Sequence, residues 1–581
     1  MLPWICTCLR MKRRYWSVLV ALFIIISSSA SGQNLETIGK EKPIKISGGV
    51  SLSQIAYGVS GIDSRRAPYS YFASGNLNVS LYGFSIPLSF SLSNQNVTFQ
   101  QPFNQFTLHP NYKWATAHVG FISMSYSPYT VSGHLFNGAA VDLTPEGKFK
   151  FSALYGRFLK AVEPDSLNPS VQPAFRRMGA GFKTSYGDAK NFAEITFFHA
   201  KDDVNSIRYV PEAQGILPQE NMVVSIGGGA TFLNNILLKA EIAGSALTRD
   251  IRAPSADNSS PLAQAPFLFT SLTSTSYYKA IKSSLSYRGQ GYSFGLGYER
   301  IDPQYRTLGA YFFNNDLENI TLNGATSLFQ GKVNFSFSAG TQHDNLDNSK
   351  ISTMHRLVGS ANVAYAPSQK LNLSVAYSNF QTFTNIRSQF VNINRLTPYD
   401  NLDTLRFTQI SQNASLNALY AFGSNKDKRQ SVNVNLMVQD AADMQAGVPQ
   451  NSGVRFYNAN TAYSLNFVPQ NTTVTAAVNI TVNDGAGTRS QTLGPTLAVS
   501  HSFFEKKLKA TASISKNDSY TNGTRLSSIT IGRVSGTTTL HKKHNLNLSL
   551  VLVKRDSQVE NGANSFNEFT ATLGYAYSFG R

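Results

Sequence analysis

Three observations predict an all-β chain, a transmembrane antiparallel β-barrel of about 24 to 26 strands. Apolar and small polar residues alternate with a period of two along most of the sequence. The connections between these stretches alternate between short and long. Charged residues make up only 14% of the chain, against roughly 25% in ordinary soluble domains, yet no long apolar run replaces them.

The alternation is plainest at the carboxyl end. In residues 567–581, Phe569, Ala571, Leu573, Tyr575, Tyr577 and Phe579 fall on one side, and Thr570, Thr572, Gly574, Ala576, Ser578 and Gly580 on the other. A strand points successive side chains to opposite faces, so this stretch has one apolar face and one small polar face. The same pattern places Val333, Phe335, Phe337 and Ala339 opposite Asn334, Ser336, Ser338 and Gly340. It returns with Val432, Val434, Leu436 and Val438 opposite Asn433, Asn435, Met437 and Gln439. A helix would need spacings of three and four. About 25 stretches fit, each consistent with the 9–11 residues of a tilted spanning strand.

Short connections, such as residues 233–235, 288–291, 366–370 and 541–545, alternate with longer polar ones, such as 160–173, 201–220, 249–276, 302–317, 384–405 and 483–490. This phase fails between Asn94 and Asn137, a region holding Pro102, Pro110 and Pro128. Proline is poorly tolerated inside a sheet. Either a strand is concealed there or residues 94–137 fold in part into the lumen.

The amino terminus differs. Arg10, Lys12, Arg13 and Arg14 precede an apolar run at residues 18–26, and small residues follow to Gly32. A basic start, a short apolar core and a small-residue exit describe a secretory signal peptide over residues 1–32, with Met11 an alternative start. Residues 33–43 then form a short periplasmic segment, and one barrel occupies 44–581. Cys6 and Cys8, the chain's two cysteines, lie in the signal region, so the exported chain carries no disulfide and no thiolate chemistry.

A chain of repeated two-period strands, closing on an aromatic strand, resembles large bacterial outer-membrane β-barrels. The Gly32–Gln33 junction and the Asn- and Tyr-rich strands resemble a Bacteroidota-type, porin-like member. The resemblance implies an even strand number, short periplasmic turns, long extracellular loops and residence in the outer membrane of a Gram-negative cell. It also implies contact with outer-membrane lipids and recognition of the closing strand by the outer-membrane assembly machinery. TonB-dependent receptors carry a globular plug before the barrel, and the segment before Ile44 is too short to hold one.

Two groups of residues stand out. Phe106, His109, Tyr112, Trp114, Tyr126, Tyr129 and His134, in the region of failed phase, suit a constriction or internal plug; the competing reading is an aromatic girdle at the membrane interface. Arg177, Lys183, Lys282 and Arg288, like Lys148, Lys150 and Lys509, fall where the alternation turns inward, and clustered they would favour anions. The bland alternative is that they sit at strand ends or are neutralised. Asp302, Tyr305, Arg306, Tyr311, Phe312 and Asp316 form an aromatic loop suited either to an extracellular lid or to contact with a surface or periplasmic protein.

No H-E-x-x-H, G-x-S-x-G or phosphate-cradling glycine loop is present. Asp202, Asp203 and Asn205 offer oxygen ligands for calcium, although such residues usually just solvate a loop. No enzyme, cofactor or metal site is expected, and the basic net charge of +18 does not imply nucleic acid in an exported chain. The expected function is a channel passing a solute through a polar lumen. The alternative is a non-transporting barrel that anchors or assembles a cell-surface or secretion complex.

Overall fold

A computed structural model of the chain describes residues 44–81, 84–94, 105–164, 173–208, 215–256, 269–350, 355–379, 412–423, 425–441, 444–445, 448–449, 454–485, 487–558 and 565–580. The signal region, Met11, both cysteines, the 33–43 segment and the 384–405 loop lie outside them.

Twenty-six antiparallel strands form one closed barrel, counting as one the strand interrupted between Gln105–Leu108 and Asn111–Tyr112. Each strand pairs with its neighbours in sequence, so the barrel is an up-and-down meander. It closes where Ile44–Ser60 pairs with Phe566–Phe579, from Gly48 opposite Phe579 to Ser60 opposite Asn567. Closure leaves no sheet edge unpaired, which is what a β protein needs in lipid.

Burial identifies the two faces. On Lys428–Ala441, Met437 and Gln439 are buried while Leu436 and Val438 stand exposed. On Val333–His343, Gln342 is buried on the side that carries Asn334, Ser336 and Ser338. The polar face therefore points into the barrel.

The region of failed phase holds both a concealed strand and an inward contact. The interrupted strand runs antiparallel to Phe84–Ser93 on one side and Ala115–Ser125 on the other. It breaks at His109–Pro110 because Pro110 has no N–H to give the ladder. Phe106, Leu108 and Tyr112 alternate with Gln105, Thr107, His109 and Asn111 along its whole length, and it is the proline within this run that argues against a strand. Beside the strand, Gly120, opposite Thr107, has φ +105°, and a Cβ there would sit 2.0 Å from the Phe106 carbonyl oxygen. With this strand counted the total is even, and both barrel termini lie at the short-turn end.

One connection expected to be long is tight. Strands Thr472–Gly485 and Thr488–Phe503 pair to their tips, so only residues 486–487 separate them. Polar sequence at 483–490 belongs to strand ends that extend past the apolar belt rather than to a loop.

Candidate functional site

The inside of the barrel has two unlike halves. In the first, the 302–316 connection lies against the inner wall. Gly309–Ala310 pairs in parallel with Val131–Gly133, the only parallel pairing among the described strands. Tyr305 is fully buried and donates from its hydroxyl to the Tyr129 carbonyl at 2.9 Å. Thr307 Oγ1 donates to the Thr130 carbonyl at 2.5 Å, and the Leu308 amide to Asn221 Oδ1 at 3.0 Å. Leu308 joins a cluster with Phe136, Phe158 and Phe198, while Tyr305 packs with Tyr129, Val223, Ala243 and Ala280. The aromatic loop is thus a lid fastened to the inside of the wall, because its tyrosines and Leu308 bury there what they would expose outside.

The lid rests on a charged layer whose members neutralise one another. Arg177 makes a two-pronged contact with Asp202, at 2.7 and 2.9 Å. Lys183 meets Glu194 at 2.8 Å and donates to the Tyr126 carbonyl at 2.9 Å. Lys282 faces Glu299 at 3.6 Å, and the Tyr129 hydroxyl donates to the same Glu299 oxygen at 2.5 Å. Ser127 and Ser225 both donate to Glu241. Burial pushes the Tyr126 phenol up to about 12. The Tyr129 phenol is driven higher still, first by burial and then by the Glu299 charge. Both therefore stay protonated, and Tyr129 remains a donor.

Several sequence-derived candidates change place. Phe106 and Tyr112 are corrected from lumen to outer wall: they pair with the outward Phe90 and Phe84 and are 52% and 42% exposed. Trp114 lies in the adjoining turn, also exposed. The register runs unshifted across Pro110, from Phe90 opposite Phe106 to Phe84 opposite Tyr112, so both side chains share the outward parity. His109 Nδ1 lies 2.7 Å from His118 Nδ1, whose Nε2 meets Asp142 Oδ2 at 3.0 Å. His134 is buried and stacks on Tyr311, ring centroids 4.0 Å apart. Asp302 accepts the Lys279 amide, and Asp316 is held by Lys350 at 2.5 Å. Arg306 lies near Arg177 and Asp202 of the wall, whereas Phe312 is 90% exposed. The calcium reading of Asp202 and Asp203 loses its ligands, since these carboxylates bind Arg177 and Arg176. Among the described residues no group of three His, Cys, Asp or Glu could hold a metal.

The other half of the interior is open. A cavity of about 1610 Å³ runs along strands from Thr275–Arg288 round to His544–Ser557. It is bounded at the short-turn end by Arg288, Gly289 and Gly291, and at the loop end by Thr521, Ser527 and Arg555. Asparagine, serine and threonine dominate its lining. The asparagines bond across strands: Asn417 Nδ2 to Asn435 Oδ1, and Asn458 Nδ2 to Asn479 Oδ1 at 3.0 Å and to Thr481 Oγ1 at 2.9 Å. Sequence reasoning attended to aromatics and charges and missed this amide surface. Its signal was present, because Asn433 and Asn435, or Asn458 and Asn460, repeat with the strand period.

The outer face of the strands is apolar all round the barrel. Ile226, Ile242, Leu296, Ile320, Leu497, Ile514 and Leu552 are each between 45% and 61% exposed. No water-soluble chain leaves such a belt uncovered, and among the described residues no helix is long and apolar enough to cross a membrane. The strands do the crossing. The chain is a large closed β-barrel of the membrane-spanning kind.

No protein-family model and no curated protein sequence matches the chain. Among solved structures the barrel is similar to the P pilus usher translocation pore, PapC, at 11% identity over 92% of this chain and 99% of that one, with a TM-score of 0.36. It is similar to the copper transporter OprC at 8% identity, covering 93% and 81%, with a TM-score of 0.37. A BenF-like porin from Pseudomonas fluorescens Pf-5 matches at 9% identity, covering 92% and 99%, with a TM-score of 0.31. At these identities and scores the likeness bears on neither substrate nor mechanism.

Proposed function

We infer that the barrel is an outer-membrane channel that passes hydrophilic solutes through the open half of its lumen. The observation that carries this reading is the cavity of about 1610 Å³, lined by asparagine, serine and threonine and bounded by residues from both ends of the barrel. Amide and hydroxyl groups replace part of a solute's hydration shell without holding it as tightly as a charge would, so passage needs no chemical step. The lid narrows the other half and confines the route to one side. The closing strand would be the segment that the assembly machinery engages, and Phe312, 90% exposed, the part of the lid that meets a surface partner.

Purified barrel in liposomes should admit small neutral sugars, read as osmotic swelling. Replacing Asn435 and Asn458 by tryptophan should slow swelling severalfold without changing insertion. Correctly folded barrel that leaves liposomes impermeable would sink the channel and leave the non-transporting anchor as the better reading.

A further inference from the structure

The charge on the two inner halves is distributed unequally. Beneath the lid, cations meet carboxylates: Arg177 with Asp202, Lys183 with Glu194 and Lys282 with Glu299. Around the open cavity, among the described residues, there is no carboxylate and no lysine, and the two charged residues are Arg288 and Arg555. Neither arginine makes an ion pair among the described residues. They stand at opposite ends of the route, Arg288 closing its strand at the short-turn end and Arg555 two residues from the loop end of His544–Ser557. Between them the amide groups of Asn417, Asn435, Asn458 and Asn479 present donors and acceptors side by side.

We propose that the open half of the lumen selects hydroxyl-rich anionic solutes, such as acidic oligosaccharides, over cations. This rests on the channel reading above and adds the solute class. Each part of the lining has its task. Paired amides exchange hydrogen bonds with hydroxyls in either direction, which suits a sugar passing along them. The arginines attract carboxylate or sulfate at each mouth and repel cations, and no carboxylate in the lining offsets them. An ion passing about 8 Å from one guanidinium in a water-like medium is favoured or disfavoured roughly two- to threefold, giving an anion-to-cation preference of about fivefold.

The test is the reversal potential of single channels under a steep KCl gradient, followed by current block with hexagalacturonate and with maltohexaose. The wild type should prefer chloride about fivefold, and hexagalacturonate should block at lower concentration than maltohexaose. The double variant R288Q/R555Q should bring both preferences close to parity, and R288K/R555K should restore them, which separates charge from folding. A conducting barrel that prefers potassium, or whose preference ignores both arginines, overturns the solute class while leaving the channel intact. A barrel that inserts without conducting overturns both.

Discussion

Tyr305 and Asp316 fasten the two ends of the lid by different physics. Tyr305 combines a fully buried ring with a hydrogen bond to the Tyr129 carbonyl. Tyr305→Ala should weaken lid docking by about 3–5 kcal/mol, as loss of a large buried ring does. Limited proteolysis should then cut within 302–316 while the strands stay protected. Burial pushes the Asp316 carboxyl up, but the Lys350 ammonium and the Leu346 and Asn345 amides outweigh it and hold it below the ordinary carboxylate range. A depressed folded pKa contributes docking free energy that is complete above the unfolded value, about 3.9, and is lost as pH falls through the lower folded value. The protection factors of the lid amides, which take out the intrinsic pH dependence of exchange, should therefore be unchanged from pH 8 to 5 and fall only below about pH 4. Asp316→Asn should show the acid-like exchange already at neutral pH.

At the scale of elements, the lid's parallel pairing is its most testable contact. Ala310 pairs with Ser132, and adjacent strand positions lie within the Cα separation a disulfide accepts, about 4.4–6.8 Å. The variant A310C/S132C should cross-link on oxidation, seen as a mobility shift, and should leave sugar entry unchanged. A lid projecting into solvent would give no cross-link. Much of the strand pattern was legible because period-two alternation follows directly from the geometry of a strand. The interrupted strand was less plain, since Pro110 sits within its alternating run and a proline removes a hydrogen bond from the ladder. The lid was half legible: Tyr305, Tyr311 and Phe312 announce an aromatic loop, but no local rule says which face of the wall it will meet. That depends on residues far away in the chain, among them Asn221 and Phe198.

For the whole molecule, an even strand number, a continuous apolar belt and a closing pair between the first and last strands describe one self-contained barrel. The division of its interior could not be read from the sequence. Whether Lys183 or Lys282 lines a pore depends on Glu194 and Glu299 arriving beside them, and on the lid lying above. The open half emerges only when the asparagines of non-adjacent strands are brought round one cavity. The most direct measurement of the account is single-channel recording in planar bilayers, comparing the wild type with Asn458→Trp and with Tyr305→Ala. The account predicts stable conducting steps, reduced severalfold by a tryptophan in the amide-lined route and enlarged or made noisier when the lid is loosened. Silent insertion, or steps indifferent to Asn458→Trp, would contradict it.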